Sequence, residues 1–195
     1  MSIKISEDKD KIDGYLGIIQ ERILAPIQKT EVRNYCTATL LLLFAAIDGL
    51  GGLLHPDNNA GSNARIREFL GYMGGDYKLY KKELLNLRNF LVHSAINVES
   101  LLSQTEISRD HHLKKLGAAD FIYVNTMVMY ENFVDAFRRF RDEIENNPAM
   151  IKRAADRLEW RELRENNAVG YLNIPTPTPP PPVEFIYAKC RPKCH

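Results

Sequence analysis

The chain has 195 residues, 45% of them hydrophobic and 26% charged, which suits one globular domain, or one domain with a tail, able to bury a core without disulfides or metals. A formal net charge of +1 excludes a global field that would gather nucleic acid or membrane, so any anion-binding patch must be local. Cys36, Cys190 and Cys194 do not make a secreted disulfide framework, and a reducing, cytoplasmic location is expected.

The first ten residues turn acidic and hold no apolar stretch of the signal-peptide kind. Ser6 is expected to cap a first helix, with Glu7, Asp8 and Asp10 in the first turn, where the macrodipole favours negative charge. Ile12, Tyr15, Leu16, Ile19 and Ile23 follow at helical spacing, and Pro26 is expected to end the helix. Thr30 is then the expected cap of a second helix running from about Glu31 into Gly49–Gly52. Its apolar run, Ala38 to Ile47, is interrupted by Asp48 and is shorter than the roughly 20 residues of a membrane span. It reads as the central core helix, with no membrane partner.

His55-Pro56-Asp57-Asn58-Asn59 is turn chemistry. Ser62 opens a short helix to about Met73, Gly74-Gly75 breaks it, and Asp76 is the expected cap of a helix from Tyr77 to about Ala95. Ile96 to Asp120 mixes polar and short apolar pieces that suit a hairpin or a brief helix, and Phe121–Val124 suits a short strand. Asn125 caps a strong helix with Met127, Tyr130, Val134, Phe137 and Ile144 on one stripe. Asn147-Pro148 is a restart signal for a last, arginine-rich helix to about Asn166. The run Pro175 to Pro182 should be extended polyproline II, a spacer or a docking segment for an aromatic-lined domain. The expected fold class is therefore all-α: a helical bundle over 1–168, a small β hairpin before the second long helix, and a proline-rich tail over 169–195.

The helix after Asp76 carries the most informative residues. At about 100° per residue, Tyr80, Leu84, Leu87 and Leu91 make one narrow core stripe. Arg88, Asn89 and His93 fall on another arc, roughly 140° wide. Leu85, Val92 and Ile96 share the arc of Arg88 and His93, so a second subunit or another part of the chain is expected to cover that side. An imidazole can give or take a proton at physiological pH. A guanidinium offers a planar fork of donors to a phosphate whose charge grows in a transition state. The same pair would also serve as a structural polar contact at a bundle surface or interface.

Arg88-Asn89-x-x-x-His93, late in a helix of an all-helical chain of this size, resembles the signature of the HEPN superfamily (higher eukaryotes and prokaryotes nucleotide-binding). Leu79-Tyr80, Leu87 and Ser94 suit its bacterial branches. The resemblance covers about residues 10–165, with its specific part confined to the motif helix. It implies a bundle that forms a homodimer through the motif helices. It also implies metal-independent, cofactor-free RNA cleavage at the dimer cleft by attack of the 2′-hydroxyl on the adjacent phosphate. Arg88 and His93 would be the catalytic residues, and Asn89, Asp48 and Ser94 the substrate-binding or orienting ones. Asp48, a lone carboxylate in an apolar helix, is expected to orient Arg88 or His93, though a core tyrosine or backbone partner would serve it as well.

A toxin or phage-defence setting, with an antitoxin or regulatory protein as partner, follows from the same resemblance. In some toxin members a tyrosine two residues after the histidine is the target of a nucleotidyltransferase antitoxin, whereas Ser94 and Ala95 follow His93 here. The competing function class is a non-catalytic helical module that holds a nucleotide, RNA or protein on this face. The other chemistry-bearing residues point elsewhere. Arg138, Arg139, Arg141, Lys152, Arg153, Arg157, Arg161 and Arg164 offer charge that could guide phosphates, but they are interleaved with acids and read mainly as a solvated face with i,i+4 ion pairs. His111-His112 and the terminal Cys190, Cys194 and His195 lack a closed ligand set, so no metal is expected.

Overall fold

The computed structural model describes residues 2–29, 36–94, 109–115 and 122–170. Among these the architecture is helical, and the sole β pairing is an isolated antiparallel bridge between Lys115 and Ile122. The expected hairpin lies mostly outside the described residues, as do Thr30 and the proline-rich tail. The residues up to Arg161 form one compact unit, and those from Glu162 onward another.

The first helix, α1 (Ser2–Ile19), begins upstream of Ser6, so Ser6 is an interior residue and not the cap expected of it. Pro26 does not end the helical path either. A π-turn, Gln20–Leu24, precedes a short helix α2 (Ala25–Gln28), and the Ala25 N–H donates to the Gln20 carbonyl five residues back. That wider turn admits a proline, which has no N–H to give and would otherwise crowd the carbonyl four residues earlier.

The central helix α3 (Cys36–Leu54) is long and apolar enough to cross a membrane by length and composition alone. Instead Leu40, Leu43, Ile47 and Leu50 are fully enclosed by other helices. Burial of each contributes about 1.5–3 kcal/mol. Next comes α4 (Ser62–Met73), which packs tightly on α3. Gly51 makes that approach possible, since a Cβ there would run into the carbonyl of Arg65.

The break after α4 is made by Gly74, at φ +79°, a conformation that a side chain would strain. Gly74, not Asp76, is the residue capping α5 (Gly75–Leu79), while Asp76 keeps its negative charge in the first turn. Helical geometry then lapses at Tyr80 (φ −100°, ψ 25°) before α6 (Lys81–Ser94), so the single helix expected from Tyr77 is two. The Leu84 N–H donates to the Tyr80 carbonyl and starts α6.

The long helix α7 (Thr126–Asn146) is capped as expected: the Asn125 side chain accepts from the Val128 N–H at 3.0 Å. Asn147 likewise accepts from the N–H groups of Ala149 and Met150 and opens α8 (Pro148–Gly170). Phe133 and Phe140 of α7 meet Phe69 of α4 with ring centroids 5.7 and 6.2 Å apart. This aromatic cluster, with the leucines of α3 and with Leu84 and Leu91 of α6, makes one core.

Candidate functional site

Helix α6 is anchored by its apolar side, where Leu84 and Leu91 are buried and Tyr80 and Leu87 pack against the core, as their spacing predicts. Leu85, expected on the second apolar arc, is also buried (3% exposed), so the protein's own chain covers that position. Further along, Phe90 and Val92 stay open, at 37% and 48% exposure. Ile96 lies outside the described residues.

Arg88 is half-buried and held by neutral groups. Its Nη1 donates to Asn89 Oδ1 at 3.1 Å and its Nη2 to Ser62 Oγ at 3.4 Å. Ser62, the first residue of α4, donates in turn to Asp48 Oδ2 at 3.0 Å. A chain of hydrogen bonds thus joins α6, α4 and α3. His93 is exposed in the last turn of α6. Five residues of helix separate it from Arg88, about 140° around the axis and about 7.5 Å along it. Among the described residues no hydrogen bond joins the two side chains. Ser94 is the last residue of the helix.

Among the described residues Asp48 forms no hydrogen bond to Arg88 or His93, the residues it was expected to orient. Its carboxylate accepts from Arg65 Nε at 2.7 Å and from Arg65 Nη2 at 3.0 Å. Arg65 also donates to the Ala60 carbonyl at 2.9 Å. The two-point bond to Asp48 raises the Arg65 pKa further above its ordinary value, against the desolvation that comes with burial. What Asp48 does supply to Arg88 is indirect, a fixed acceptor for the Ser62 hydroxyl. The sequence held a signal for this pair. A carboxylate inside an apolar helix needs a cation or several donors, and Arg65 is a basic residue on the next helix.

A second polar cluster went unread in the sequence. Tyr77 of α5, His112 beyond the 3-10 turn Arg109–His111, and Asn132 of α7 meet at the tyrosine hydroxyl. His112 Nδ1 accepts from the Asn125 N–H at 3.1 Å, which assigns the ring proton of the neutral form to Nε2. Nε2 then donates to the Tyr77 hydroxyl at 2.8 Å. Burial pushes His112 down to about 4, with Asp76 opposing, so the ring is neutral at physiological pH. Among the described residues no three His, Cys, Asp or Glu side chains gather as a metal site.

The arginine-rich face of α7 and α8 divides. Arg138 pairs with Asp135 and Arg141 with Glu145 at the surface, as the sequence pattern predicts. Arg153, Arg157 and Arg161 instead turn to the fold. Arg153 donates to the Leu54 carbonyl at 3.2 Å, Arg161 donates to the Tyr15 hydroxyl at 3.3 Å, and Arg157 is only 4% exposed.

Comparison of the chain with family models, curated proteins and solved structures returns no match.

Proposed function

We propose that this protein is a HEPN-type endoribonuclease: a homodimer that cleaves RNA without a metal ion, using Arg88 and His93. The observation that carries the reading is the contrast between the two side chains. Arg88 is fixed by an amide and a hydroxyl, and among the described residues no carboxylate is bound to it, while His93 on the same helix is exposed. A phosphodiester that meets this helix would take donors from Arg88 and lie within reach of the imidazole.

In the proposed reaction the RNA 2′-hydroxyl attacks the adjacent phosphorus and the 5′-oxygen leaves. The products are a 2′,3′-cyclic phosphate and a 5′-hydroxyl. His93 moves a proton to or from the attacking or leaving oxygen, and Arg88 stabilises the charge that builds on the phosphoryl oxygens. Asn89 holds one edge of the Arg88 fork. The open Phe90 and Val92 beside the motif supply apolar surface for a second copy of α6. A cytoplasmic toxin or phage-defence nuclease, restrained by an antitoxin or regulatory protein, is the setting we infer from the motif.

One observation favours a different reading. Arg88 already spends two donors within its own protomer, which suits a non-catalytic module that holds RNA, a nucleotide or a protein. The experiment that separates them is incubation of purified protein with mixed RNA in EDTA, followed by analysis of fragment ends and of mass in solution. Fragments ending in 2′,3′-cyclic phosphate, made by a dimer, support the nuclease. Tight binding without cleavage supports the module, and a monomer argues against a composite site.

A further inference from the structure

Three arginines from two helices converge on α3 at its Gly49–Gly52 segment, and one of them has two buried nitrogens without an acceptor among the described residues. Arg157 of α8 is 4% exposed, and its Nε and Nη1 are buried with no hydrogen-bond acceptor among the described residues. Its guanidinium carbon stands 4.5 Å over the Trp160 ring. That contact stabilises the charge from the face of the group but accepts none of its in-plane N–H bonds. A guanidinium stays protonated, so burial cannot be relieved by loss of the proton.

The neighbours add to the positive charge. The point where a Gly52 Cβ would sit is 3.7 Å from Arg157 Nε and 3.8 Å from Arg65 Nε. Both guanidinium groups thus stand beside Gly52, where α3 carries no side chain. Arg161 of α8, which lies over the Tyr15 ring, adds a third positive charge, and both Arg65 and Arg161 lower the Arg157 pKa by repulsion, after the effect of burial itself. Asp48 faces the cluster, but both its oxygens are taken by Arg65 and Ser62. Asp57 contributes a weaker attraction and is exposed.

We propose that Arg157, with Arg65 and Arg161, forms a phosphate-binding site between α3, α4 and α8, separate from the Arg88 and His93 pair. The ligand class follows from the donors. The Nε–H and Nη1–H of Arg157 match the acceptor oxygens of a phosphate, Arg65 and Arg161 add positive charge beside them, and the Tyr15 hydroxyl, already held by Arg161, is a further polar group of the cluster. Arg65, 24% exposed, and the half-buried Arg161 bring the edge of the cluster to the protein surface, and a phosphate would enter there. The site is independent of RNA cleavage and would exist in a nuclease or in a binding module.

The test is thermal melting with inorganic phosphate, AMP or a 12-residue RNA, on wild type and Arg157→Met, in a buffer free of oxyanions. Wild type is expected to melt about 3–6 °C higher at a ligand concentration about ten times Kd. Arg157→Met is expected to melt at or above wild type without ligand, because an unpaired buried charge is gone, to show no shift with phosphate or AMP, and to show a smaller shift than wild type with RNA, which keeps the Arg88 and His93 pair. Saturation by phosphate or AMP identifies a free phosphate as the source, and saturation by RNA alone identifies a polymer phosphodiester. Either result supports the site. If Arg157→Met does not fold, Arg161→Ala should weaken phosphate binding about threefold or more by titration calorimetry. Absence of a shift in wild type with all three ligands, or an undiminished ligand response in the folded variants, overturns the proposal.

Discussion

Asp48→Asn is the substitution that most sharply probes how α3 and α4, the helices behind the motif helix, are tied together. It removes the charge from a carboxylate that takes two bonds from Arg65, at 2.7 and 3.0 Å, and one from Ser62, at 3.0 Å. Breaking a fully buried ion pair from one side costs about 3–5 kcal/mol, whereas an exposed pair contributes about 1 kcal/mol at most. Here the side chains of Arg65 and Asp48 are 24% and 23% exposed, and the new amide keeps one good acceptor. A loss of about 2–3 kcal/mol is therefore expected, equivalent to about 4–12 °C in Tm for a chain of this length. Calorimetry of Asp48→Asn, Arg65→Gln and the double variant completes a cycle in which the second change should add little to the first. A loss below about 0.5 kcal/mol, with the two single effects simply adding, would refute the carboxylate as the tie between α3 and α4.

Two further outcomes follow from the fold. Gly51→Ala should destabilise the protein by roughly 2–3 kcal/mol in urea titration, because its Cβ meets the backbone of Arg65 and neither helix can yield locally; a neutral result would mean that α3 and α4 are further apart than described. Stability should also depend on His112. Its folded pKa of about 4 lies below the unfolded value of about 6.5, so the unfolded chain takes up the proton first as pH falls. This contribution is complete above about pH 6.5 and is lost towards pH 4, amounting to roughly 1–2 kcal/mol once the partial exposure of the ring is allowed for. Urea midpoints of wild type and His112→Gln between pH 7.5 and 4.5 check it, and identical slopes for the two proteins would contradict the assigned hydrogen bonds.

What the sequence made legible was local. Asn125 and Asn147-Pro148 act where they stand, by bonding N–H groups two or three residues ahead, and the structure has them as caps. The apolar stripe of α6 is likewise a matter of spacing, and Tyr130, Phe137 and Ile144 of the α7 stripe are buried, whereas Met127 and Val134 are only partly so and the fully buried Phe133 and Phe140 lie outside it. Misreadings arose where a local preference met a longer-range demand. Ser6 is a good cap that the chain does not use, and Pro26 is a good stop that a π-turn accommodates. The lapse at Tyr80 carries no glycine or proline to announce it.

The candidate site divides in the same way. Arg88 and Asn89 are adjacent, and their mutual bond is a local event. The partners that make them a site, Ser62 and through it Asp48 and Arg65, come from two other helices, and only packing selects which arginine meets the carboxylate. Arg157 is the clearest case. In sequence it is one charge among many on an acid-and-base helix, and nothing in that alternation marks it as the buried one.

The most direct measurement is the rate of RNA cleavage in excess EDTA by wild type and by His93→Ala at equal concentration, with melting curves of both. His93 is exposed in the last turn of α6, so the variant should melt within about 1 °C of wild type. Its cleavage rate should fall by about 100-fold or more, the usual worth of a positioned proton-transfer group. Equal rates for the two proteins would contradict the assignment of His93 and, with it, the nuclease reading of the motif helix.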